Sequence, residues 1–407
     1  MGYTKNALAG FSFQTILKLA TYVVVAIKMA VLARVLSPEI FGLFSLVTIA
    51  LGLTEATTQT GVNLTIVRSK HSVEYFLDSA WVIAIIRGMI IGSLMIVLAF
   101  FLSNFFNEPD LLILISLTAL VPVIKGFINP YIISMQKNLN FFYDALYRFS
   151  YFLAEASFAI TVGYLSKSIF ALVGALIFAA SVELLISFIF FKKRPQFVYR
   201  QSRVKEILEG AKWLSFSALL DYLNENLDNF IIGKMTSLHS LGLYHYGYSL
   251  SHKVNHDFAK SATHGTLPIY SRLQNSNKRL IKAFYKATAS TMVLVILVSL
   301  PFLLFPTFVI NFLFGSQWLE VTKFLHWLVL AGIVQSFSVL FYSLFMAKKA
   351  YFSVNLHLSS SVLTMLILII IFGSQYGLVG ATFAIFLSRL LNIPLLIWRF
   401  LKIRNED

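Results

Sequence analysis

Long runs of apolar residues occur along almost the whole of this 407-residue chain. Hydrophobic residues make up 58% of the sequence and charged residues only 13%, whereas soluble domains are about 45–50% apolar and about 25% charged. A run of about 20 apolar residues is long enough to cross the hydrocarbon core of a bilayer as a helix. The sequence therefore predicts an all-α integral membrane protein with little chain left over for a soluble domain.

Polar breaks divide the apolar runs into about twelve predicted membrane spans. The predicted spans are residues 11–33, 42–66, 79–102, 111–133, 148–165, 168–191, 213–233, 241–268, 286–309, 322–346, 352–373 and 377–400. The eighth span is polar for a lipid-facing helix, since it contains the sequence SHKVNHDFAKSATHG. No cleavable signal peptide is expected, because the first run is too long for one and contains Lys18 and Lys28.

The distribution of Lys and Arg among the breaks predicts the orientation of the chain. Alternate breaks carry nineteen Lys and Arg on one side of the membrane, and the other side carries only Arg34, Lys167 and Lys234. Because positively charged loops stay in the cytoplasm, we predict a multi-pass protein of the cytoplasmic (inner) membrane with both termini cytoplasmic. This placement also accounts for the formal net charge of +15, so nucleic acid is not expected as a partner.

The two halves of the chain repeat the same sequence features. Residues 33–46 read ARVLSPEIFGLFSL, and residues 233–246 read GKMTSLHSLGLYHY, 200 positions later. A second pair, LVGALIFAASVELL at 172–185 and LVGATFAIFLSRLL at 378–391, has an offset of 206. The pairs occupy equivalent positions among the predicted spans, so an internal duplication is favoured over a chance match.

The duplication predicts two lobes of six helices each. The number of spans in each lobe predicts how the two lobes are oriented relative to each other in the membrane. The lobes cover residues 1–191 and 213–407, and a basic cytoplasmic linker over 192–212 joins them. Each lobe has an even number of spans, so the repeat is parallel, an arrangement that suits alternating access around a central site. The linker has the composition of an amphipathic surface segment that faces anionic lipid.

Polar and ionisable residues occur inside several spans, where they are costly and often mark a substrate or ion path. The candidates for a substrate-binding cavity are Gln14, Lys18, Lys28, Gln59, Asn63, Arg87, Lys125, Lys253, His256 and Lys260. The candidates for coupling to H⁺ or Na⁺ are Glu55, Asp221, Glu225 and Asp228. In the alternative interpretation, the lysines extend to the membrane interface and Asp257 forms ion pairs with lysines one helical turn away.

A cavity lined by Lys and Arg would suit an anionic head group such as a diphosphate. The sequence contains neither the phosphate-loop pattern G-x-x-x-x-G-K-[ST] nor the metal-binding pattern H-E-x-x-H. There are no cysteines, and the predicted external breaks are too short to hold the carboxylates of a membrane glycosyltransferase. We therefore predict a transporter rather than an enzyme, with no metal site and no resident cofactor.

Three segments resemble a known family of membrane transporters. They are VLARVLSPEIFGLFSLVTIALGLTEATTQTGVN, ALVPVIKGFINPYIISMQKNLNF and NLDNFIIGKMTSLHSLGLYHYGYSL. In these segments the chain is similar to the flippases of O-antigen, colanic acid or teichuronic acid type, within the multidrug/oligosaccharidyl-lipid/polysaccharide exporter superfamily. The resemblance implies a V-shaped pair of six-helix lobes with a cationic central cavity. It also implies a polyprenyl-diphosphate-linked glycan as the cargo, moved from the cytoplasmic to the outer leaflet.

Other functions on a chain of this kind define the alternatives. The nearest alternative is a multidrug or peptidoglycan-precursor exporter with the same fold. For a multidrug exporter we expect a cavity lined mostly by acidic and aromatic residues. A membrane glycosyltransferase or ligase and a non-transporting scaffold are less favoured, because external catalytic carboxylates are lacking and polar faces occur on paired helices. The expected partners are membrane lipid and, as a candidate, polysaccharide polymerase machinery, with the protein itself a monomer.

Overall fold

A computed structural model of the protein describes residues 2–58, 62–138, 140–208 and 211–405. Helices account for almost all of these residues, and no β-strand occurs within them. The all-α prediction is therefore confirmed. The chain divides into two compact units, Met1–Leu219 and Leu220–Asp407. The finer division into lobes at 1–191 and 213–407 with a linker between them stays a prediction.

The first unit begins with a long helix and continues with helices of very unequal length. Its helices are α1 (Gly2–Val35), α2 (Pro38–Thr57), α3 (Val62–Arg68), α4 (Val73–Phe106), α5 (Asp110–Thr118), α6 (Leu120–Gly126), α7 (Ile133–Lys137), α8 (Phe141–Ser166), α9 (Phe170–Phe190) and α10 (Gln201–Leu208). A short 3₁₀ turn, Pro130–Ile132, precedes α7. Helix α11 (Ala211–Met235) begins in the first unit and ends in the second.

The second unit shows the same alternation of long and short helices. Its helices are α12 (Leu238–Tyr248), α13 (Val254–Leu273), α14 (Asn277–Leu304), α15 (Pro306–Phe314), α16 (Thr322–Ala347), α17 (Tyr351–Leu368), α18 (Ser374–Leu391) and α19 (Ile393–Arg404). A 3₁₀ segment, Ser316–Val321, precedes α16, and π-helical turns at Ser249–Lys253 and Ile369–Gly373 follow α12 and α17.

Among the described residues, every predicted span overlaps one or more helices. The fourth span is interrupted by the non-helical residues 127–129. Within the described residues, six helical stretches are long and apolar enough to cross a membrane. A seventh is added if the pair Asp110–Gly126 and Pro130–Lys137, bent by 66°, is taken as one span. The structure is thus that of a multi-pass membrane protein.

The duplicated sequence features adopt the same local geometry in both units. Ser37 precedes α2 with φ −77° and ψ 158°, and Ser237 precedes α12 with φ −74° and ψ 161°. The turn after α7 also has its copy after α16. Asn140 N donates to Met135 O at 2.7 Å, and Ala350 N donates to Phe345 O at 2.7 Å, 210 positions later. In both turns, therefore, a carbonyl near the end of the helix accepts a hydrogen bond from the backbone N–H five residues later in the chain. This is a common way of satisfying the last carbonyls of a helix.

Glycines allow α4 and α6 to approach closely. A Cβ added at Gly88 would lie 2.5 Å from Pro122 O, and one added at Gly126 would lie 2.8 Å from Ala84 O. Gly88 and Gly92 form a G-x-x-x-G pattern, which marks close helix crossings in membranes because small residues let two backbones meet. The crossing brings the segment that contains Arg87 next to the segment that contains Lys125.

A π-helical turn interrupts the predicted eighth span. It comprises Ser249–Lys253 and joins α12 to α13. Gly332 of α16 faces it, since a Cβ there would lie 2.9 Å from His252 Cα. π-Turns of this kind often occur at functional sites, and this one precedes the polar residues of α13.

Candidate functional site: charged clusters within each unit

An ion pair joins α1 to α8 in the first unit. Lys28 Nζ lies 2.7 Å from Glu155 Oε1. Both side chains are largely buried, with 18% of Lys28 and 12% of Glu155 exposed. These two helices pack along one another, which places the two residues face to face although 127 positions separate them in the sequence.

Further charged residues extend this pair into a larger cluster. Lys125 Nζ lies over the ring of Tyr151, 5.1 Å from its centroid. Glu155, Glu183 and Glu55 lie within electrostatic range of the Tyr151 side chain. We name Lys28, Glu55, Arg87, Lys125, Tyr151, Glu155 and Glu183 the first cluster. Within the described residues it contains three cations and three carboxylates, so its formal charges balance.

Arg87 makes its contacts at the end of α2. Its Nε donates to Thr58 O at 2.8 Å and its Nη2 donates to Glu55 O at 3.1 Å. Carbonyls at the C-terminal end of a helix have no partner within the helix, and the helix dipole makes that end negative. Arg87 therefore stabilises the end of α2, and its predicted contact with substrate stays a prediction.

A second ionic cluster connects α11 to α13 in the second unit. Lys260 Nζ lies 2.9 Å from Asp221 Oδ2 and 2.9 Å from Glu225 Oε1. His256 Nδ1 lies 3.6 Å from the same Glu225 oxygen. Asp221 and Glu225 are four residues apart, as are His256 and Lys260, so each helix presents two adjacent groups to the other. We name these four residues the second cluster.

The second cluster unites residues to which the sequence analysis gave separate roles. Lys260 and His256 are substrate-binding candidates, whereas Asp221 and Glu225 are ion-coupling candidates. In the structure they form one network, because a cation on one helix and two carboxylates on the other compensate each other's charge. A cation with two carboxylate partners is not a free positive site, so the predicted cationic character of the cavity depends on whether these partners can separate.

Asp228, the remaining ion-coupling candidate, is fully buried in the second unit. The Tyr244 hydroxyl donates to its Oδ2 at 2.5 Å. Its Oδ1 accepts from Asn229 N at 2.7 Å and from Asn229 Nδ2 at 3.1 Å. Both carboxylate oxygens are thus hydrogen-bonded, as a buried carboxylate requires.

A buried arginine is a polar residue that the sequence analysis did not place in the site. Arg389 of α18 donates from Nη1 to Asn224 Oδ1 and to Gln335 Oε1, each at 2.9 Å, and from Nη2 to Asn224 O at 2.9 Å. It thereby connects α18 to α11 and α16. The available sequence signal was a single Arg within an apolar run, and nothing in the sequence named its amide partners.

Several predicted site residues lie outside the described part of the structure or apart from both clusters. The side chains of Gln14, Lys18 and Lys253 and the whole of Gln59 are outside the described residues. Asn63 is exposed on the short helix α3. Among the residues that the structure describes, no group of three or more His, Asp or Glu side chains is placed to hold a metal ion.

The chain matches a family described as polysaccharide biosynthesis protein over residues 31–323. It is 23% identical over 405 residues to the lipopolysaccharide biosynthesis protein WzxC of Escherichia coli (strain K12), with 96% of this chain and 80% of that protein covered. It is 24% identical over 386 residues to an uncharacterized membrane protein in the cps region of Klebsiella pneumoniae, with 92% and 78% covered.

Solved structures show the same fold at lower sequence identity. The lipid II flippase MurJ in an inward closed conformation has a TM-score of 0.67 and 15% identity, with 96% of this chain and 88% of that chain covered. An inward-facing multidrug resistance MATE family transporter of the MOP superfamily has a TM-score of 0.65 and 15% identity, with 98% and 99% covered.

These findings agree with the predicted transporter and with the prediction that the chain is not an enzyme. The two solved structures are a flippase and a transporter by name, and the two curated relatives are a biosynthesis protein and a membrane protein. The match to the family model spans both units of the chain. The chain therefore belongs to the polysaccharide biosynthesis protein family, and it has the all-α membrane fold of the multidrug/oligosaccharidyl-lipid/polysaccharide exporter superfamily.

Proposed function

We propose that the protein is a secondary transporter that flips a polyprenyl-diphosphate-linked oligosaccharide from the cytoplasmic to the outer leaflet for surface polysaccharide assembly. Membership of the polysaccharide biosynthesis family supports a glycan cargo. The likeness to a relative named for lipopolysaccharide biosynthesis supports a lipid-linked one. Transport proceeds by alternating access of the two lobes, and both termini are cytoplasmic.

The observation that carries the proposal is the Lys28–Glu155 ion pair inside apolar helices. A buried cation is retained in a membrane protein only at a cost in free energy. Phosphate oxygens form short, charge-assisted hydrogen bonds with ammonium groups. A diphosphate head group can therefore replace Glu155 as the partner of Lys28, and Lys125 lies in the same cluster as a second phosphate ligand.

This exchange of partners also supplies a route to ion coupling. When Lys28 turns to the diphosphate, Glu155 loses the charge that compensated it. A partly buried carboxylate without a partner binds a proton more readily, or it attracts a cation such as Na⁺. Glu155 would then take up the coupling ion as the head group binds and release it as the head group leaves.

The second cluster can act in the same way in the second unit. Lys260 exchanges its carboxylate partners for phosphate oxygens, and Asp221 and Glu225 are then free to bind the coupling ion. Each unit would thus provide one exchangeable cation, as expected for copies of one ancestral lobe.

The direct test is reconstitution of the full chain in liposomes with a fluorescent polyprenyl-diphosphate oligosaccharide. Wild-type protein should make head groups in one leaflet accessible to a quencher or a hydrolase on the other side. Lys28→Gln should reduce the flipping rate by at least tenfold. Arg148→Gln should leave the rate close to that of wild type, because Arg148 is 58% exposed and pairs with Asp144 on its own helix.

Two outcomes would contradict the proposal. Head groups that stay inaccessible with correctly folded wild-type protein would exclude the flippase function under these conditions. Equal flipping rates for Lys28→Gln and wild type would contradict only the second part of the proposal: the protein would still be a flippase, but Lys28 would have no role in its mechanism. Folding of each variant is checked by its elution and thermal transition in detergent.

One observation favours multidrug export as a second candidate function. The second unit combines the carboxylates Asp221, Glu225 and Asp228 with a stacked aromatic pair, in which the ring centroids of Tyr248 and His252 lie 4.4 Å apart. Carboxylates and aromatic faces suit a lipophilic cation. In the same liposomes, transport of a cationic dye without flipping of the glycolipid would select this alternative.

A further inference from the structure

We propose that residues 191–208 form a basic surface segment that binds the anionic phospholipid head groups of the cytoplasmic leaflet. This inference goes beyond glycolipid transport and rests only on the orientation included in the proposed function. Its support comes from the separation of the segment into two sets of side chains. One set is fixed to the first unit, and the other is exposed.

The inner side of the basic surface segment is packed on α3 and α4. Pro195, Val204 and Ile207 are buried, and the last two belong to an apolar cluster with Ile66 and Phe76. These contacts hold α10 against the body of the unit. The segment is therefore a fixed surface and not an extended linker.

Hydrogen bonds to the backbone fix the part of the segment that precedes α10. Asn129 Nδ2 donates to Lys193 O at 2.8 Å. Gln196 N donates to Asp78 Oδ1 at 2.9 Å. The backbone of the segment is thus held to the first unit at two points.

Three of the six basic residues are used in contacts within the unit. Lys193 pairs with Glu74 and lies 5.4 Å from the centroid of the Tyr131 ring. Arg203 lies over the Tyr75 ring at 4.1 Å, and Arg194 donates to Phe188 O at 2.5 Å. The hydrogen bond that Lys193 donates to the Glu74 carboxylate raises the pKa of Lys193 above its ordinary value, so this residue stays charged at neutral pH.

The other three basic residues are exposed. They are Lys192, Arg200 and Lys205. None of their side chains forms a hydrogen bond or ion pair with another residue in the described part of the chain. Within 191–208 the sequence contains one carboxylate, Glu206, against six Lys and Arg. The exposed face is therefore strongly positive.

Exposed aromatic residues accompany these charges. Phe197 is 70% exposed and Tyr199 is 59% exposed. Aromatic side chains collect at the level of the lipid head groups, where the ring is partly in apolar surroundings and partly hydrated. The end of α9 leads directly into the segment with Ile189 and Phe190 exposed, so the surface is continuous with an apolar face suited to lipid.

Charge complementarity selects anionic lipid as the occupant. Each Lys or Arg close to an anionic leaflet strengthens the attraction by about fivefold, since it contributes about 1 kcal/mol. A soluble protein partner would not explain exposed aromatic residues next to the end of an apolar helix. Three cations and two aromatic rings on a fixed backbone match a membrane surface with negative head groups.

The test uses the full chain in nanodiscs of phosphatidylcholine alone or with phosphatidylglycerol added. Amide hydrogen exchange is measured locally over residues 192–208. In wild-type protein, exchange should be at least fivefold slower with phosphatidylglycerol present. The triple variant Lys192→Gln/Arg200→Gln/Lys205→Gln should lose this difference.

The matched control removes three exposed charges elsewhere in the chain. Lys278→Gln/Arg279→Gln/Lys282→Gln should keep the lipid-dependent protection of 192–208, because the measurement is local. Lys192→Arg/Arg200→Lys/Lys205→Arg should also keep it, since the charge is conserved. Lipid binding is supported if the triple Gln variant has a normal thermal transition but exchanges at the same rate over 192–208 in both lipid compositions.

Two results would overturn the proposal. One is equal exchange of wild-type 192–208 in both lipid compositions. The other is protection produced by inorganic pyrophosphate in phosphatidylcholine discs, which would assign the segment to phosphate ligands rather than to the membrane surface. Neither measurement depends on transport, so failure of this proposal and failure of the proposed flippase function are distinguishable.

Discussion

The Lys28–Glu155 pair shows how a single contact can serve both stability and transport. Each partner is largely buried and each compensates the charge of the other at 2.7 Å. Removing one partner leaves an uncompensated charge in apolar surroundings, whereas removing both leaves two neutral groups. Comparing the single variants with the double variant therefore separates the contribution of the pair to stability from the need for a cation during transport.

We therefore expect Lys28→Gln and Glu155→Gln each to lower the free energy of unfolding by about 3–5 kcal/mol. The double variant should recover most of that loss, because no unpaired charge remains. Its glycolipid flipping should stay low, since the cation is still missing. Thermal unfolding in detergent and the liposome assay measure the two properties on the same samples.

The control is the pair that Arg148, 58% exposed, forms with the buried Asp144 on α8. Pairs one helical turn apart on one helix contribute about 0.3–0.5 kcal/mol. Asp144 also keeps a hydrogen bond from Gln136 Nε2 at 3.2 Å, so Arg148→Gln should change stability little. If the losses of Lys28→Gln and Glu155→Gln add in the double variant, the two side chains do not depend on each other and the pair has no role as a unit.

Single residues also define the limit of what the sequence could predict. Lys28, Arg87 and Lys125 were recognised because a charge inside an apolar run is conspicuous. Their partners could not be recognised, since Glu155 lies on another helix and the partners of Arg87 are backbone carbonyls. A contact between distant helices depends on how they pack, which hydropathy does not encode.

At the scale of helices, the crossing of α4 and α6 positions two residues of the first cluster. Gly88 follows Arg87, and Gly126 follows Lys125. A methyl group at Gly88 would meet the backbone oxygen of Pro122 at 2.5 Å, and backbone cannot move aside as a flexible side chain can. The helices would have to separate, and both cations would move with them.

Gly88→Ala should therefore destabilise the protein by about 1–3 kcal/mol, as over-packing of a filled contact does. It should also reduce flipping through the displacement of Arg87 and Lys125. Gly265→Ala is the matched control, because a Cβ there has no atom within 4 Å. Alanine has a higher helix propensity than glycine, so Gly265→Ala should leave the free energy of unfolding unchanged or raise it by up to about 1 kcal/mol. Equal effects of the two substitutions on the thermal transition would contradict this account of the crossing.

The sequence predicted the positions of helices well and their interruptions poorly. Apolar runs mark where helices must lie, because backbone groups in a bilayer can be satisfied only within a helix or a closed barrel. The bend of 66° after Gly126 and the π-turn at Ser249–Lys253 leave no such mark. They depend on local packing, for example on Gly332 against His252, and hydropathy averages over them.

At the scale of the whole chain, the two units that the predicted duplication relates differ in the charges of their clusters. The turns before α2 and α12 have nearly the same backbone angles, as the predicted duplication would require. The first cluster has equal numbers of cations and carboxylates among the described residues, whereas the second has two carboxylates for one lysine. Such divergence is expected if one unit contributes more to head-group binding and the other more to ion coupling.

The orientation of the whole chain can be tested by cysteine labelling. Because the sequence contains no cysteine, each introduced cysteine is the only one that can react. Ser166 and Ser374 lie in predicted external breaks, and Ser202 and Ser271 lie in predicted cytoplasmic ones, one of each kind per half of the chain. On intact cells a membrane-impermeant maleimide should label Ser166→Cys and Ser374→Cys only, because charged reagents do not cross the bilayer. After permeabilisation all four should react, which controls for reactivity. Labelling of Ser202→Cys or Ser271→Cys on intact cells would reverse the orientation. The basic surface segment would then face outward, and the direction of flipping proposed for the glycolipid would have to be abandoned.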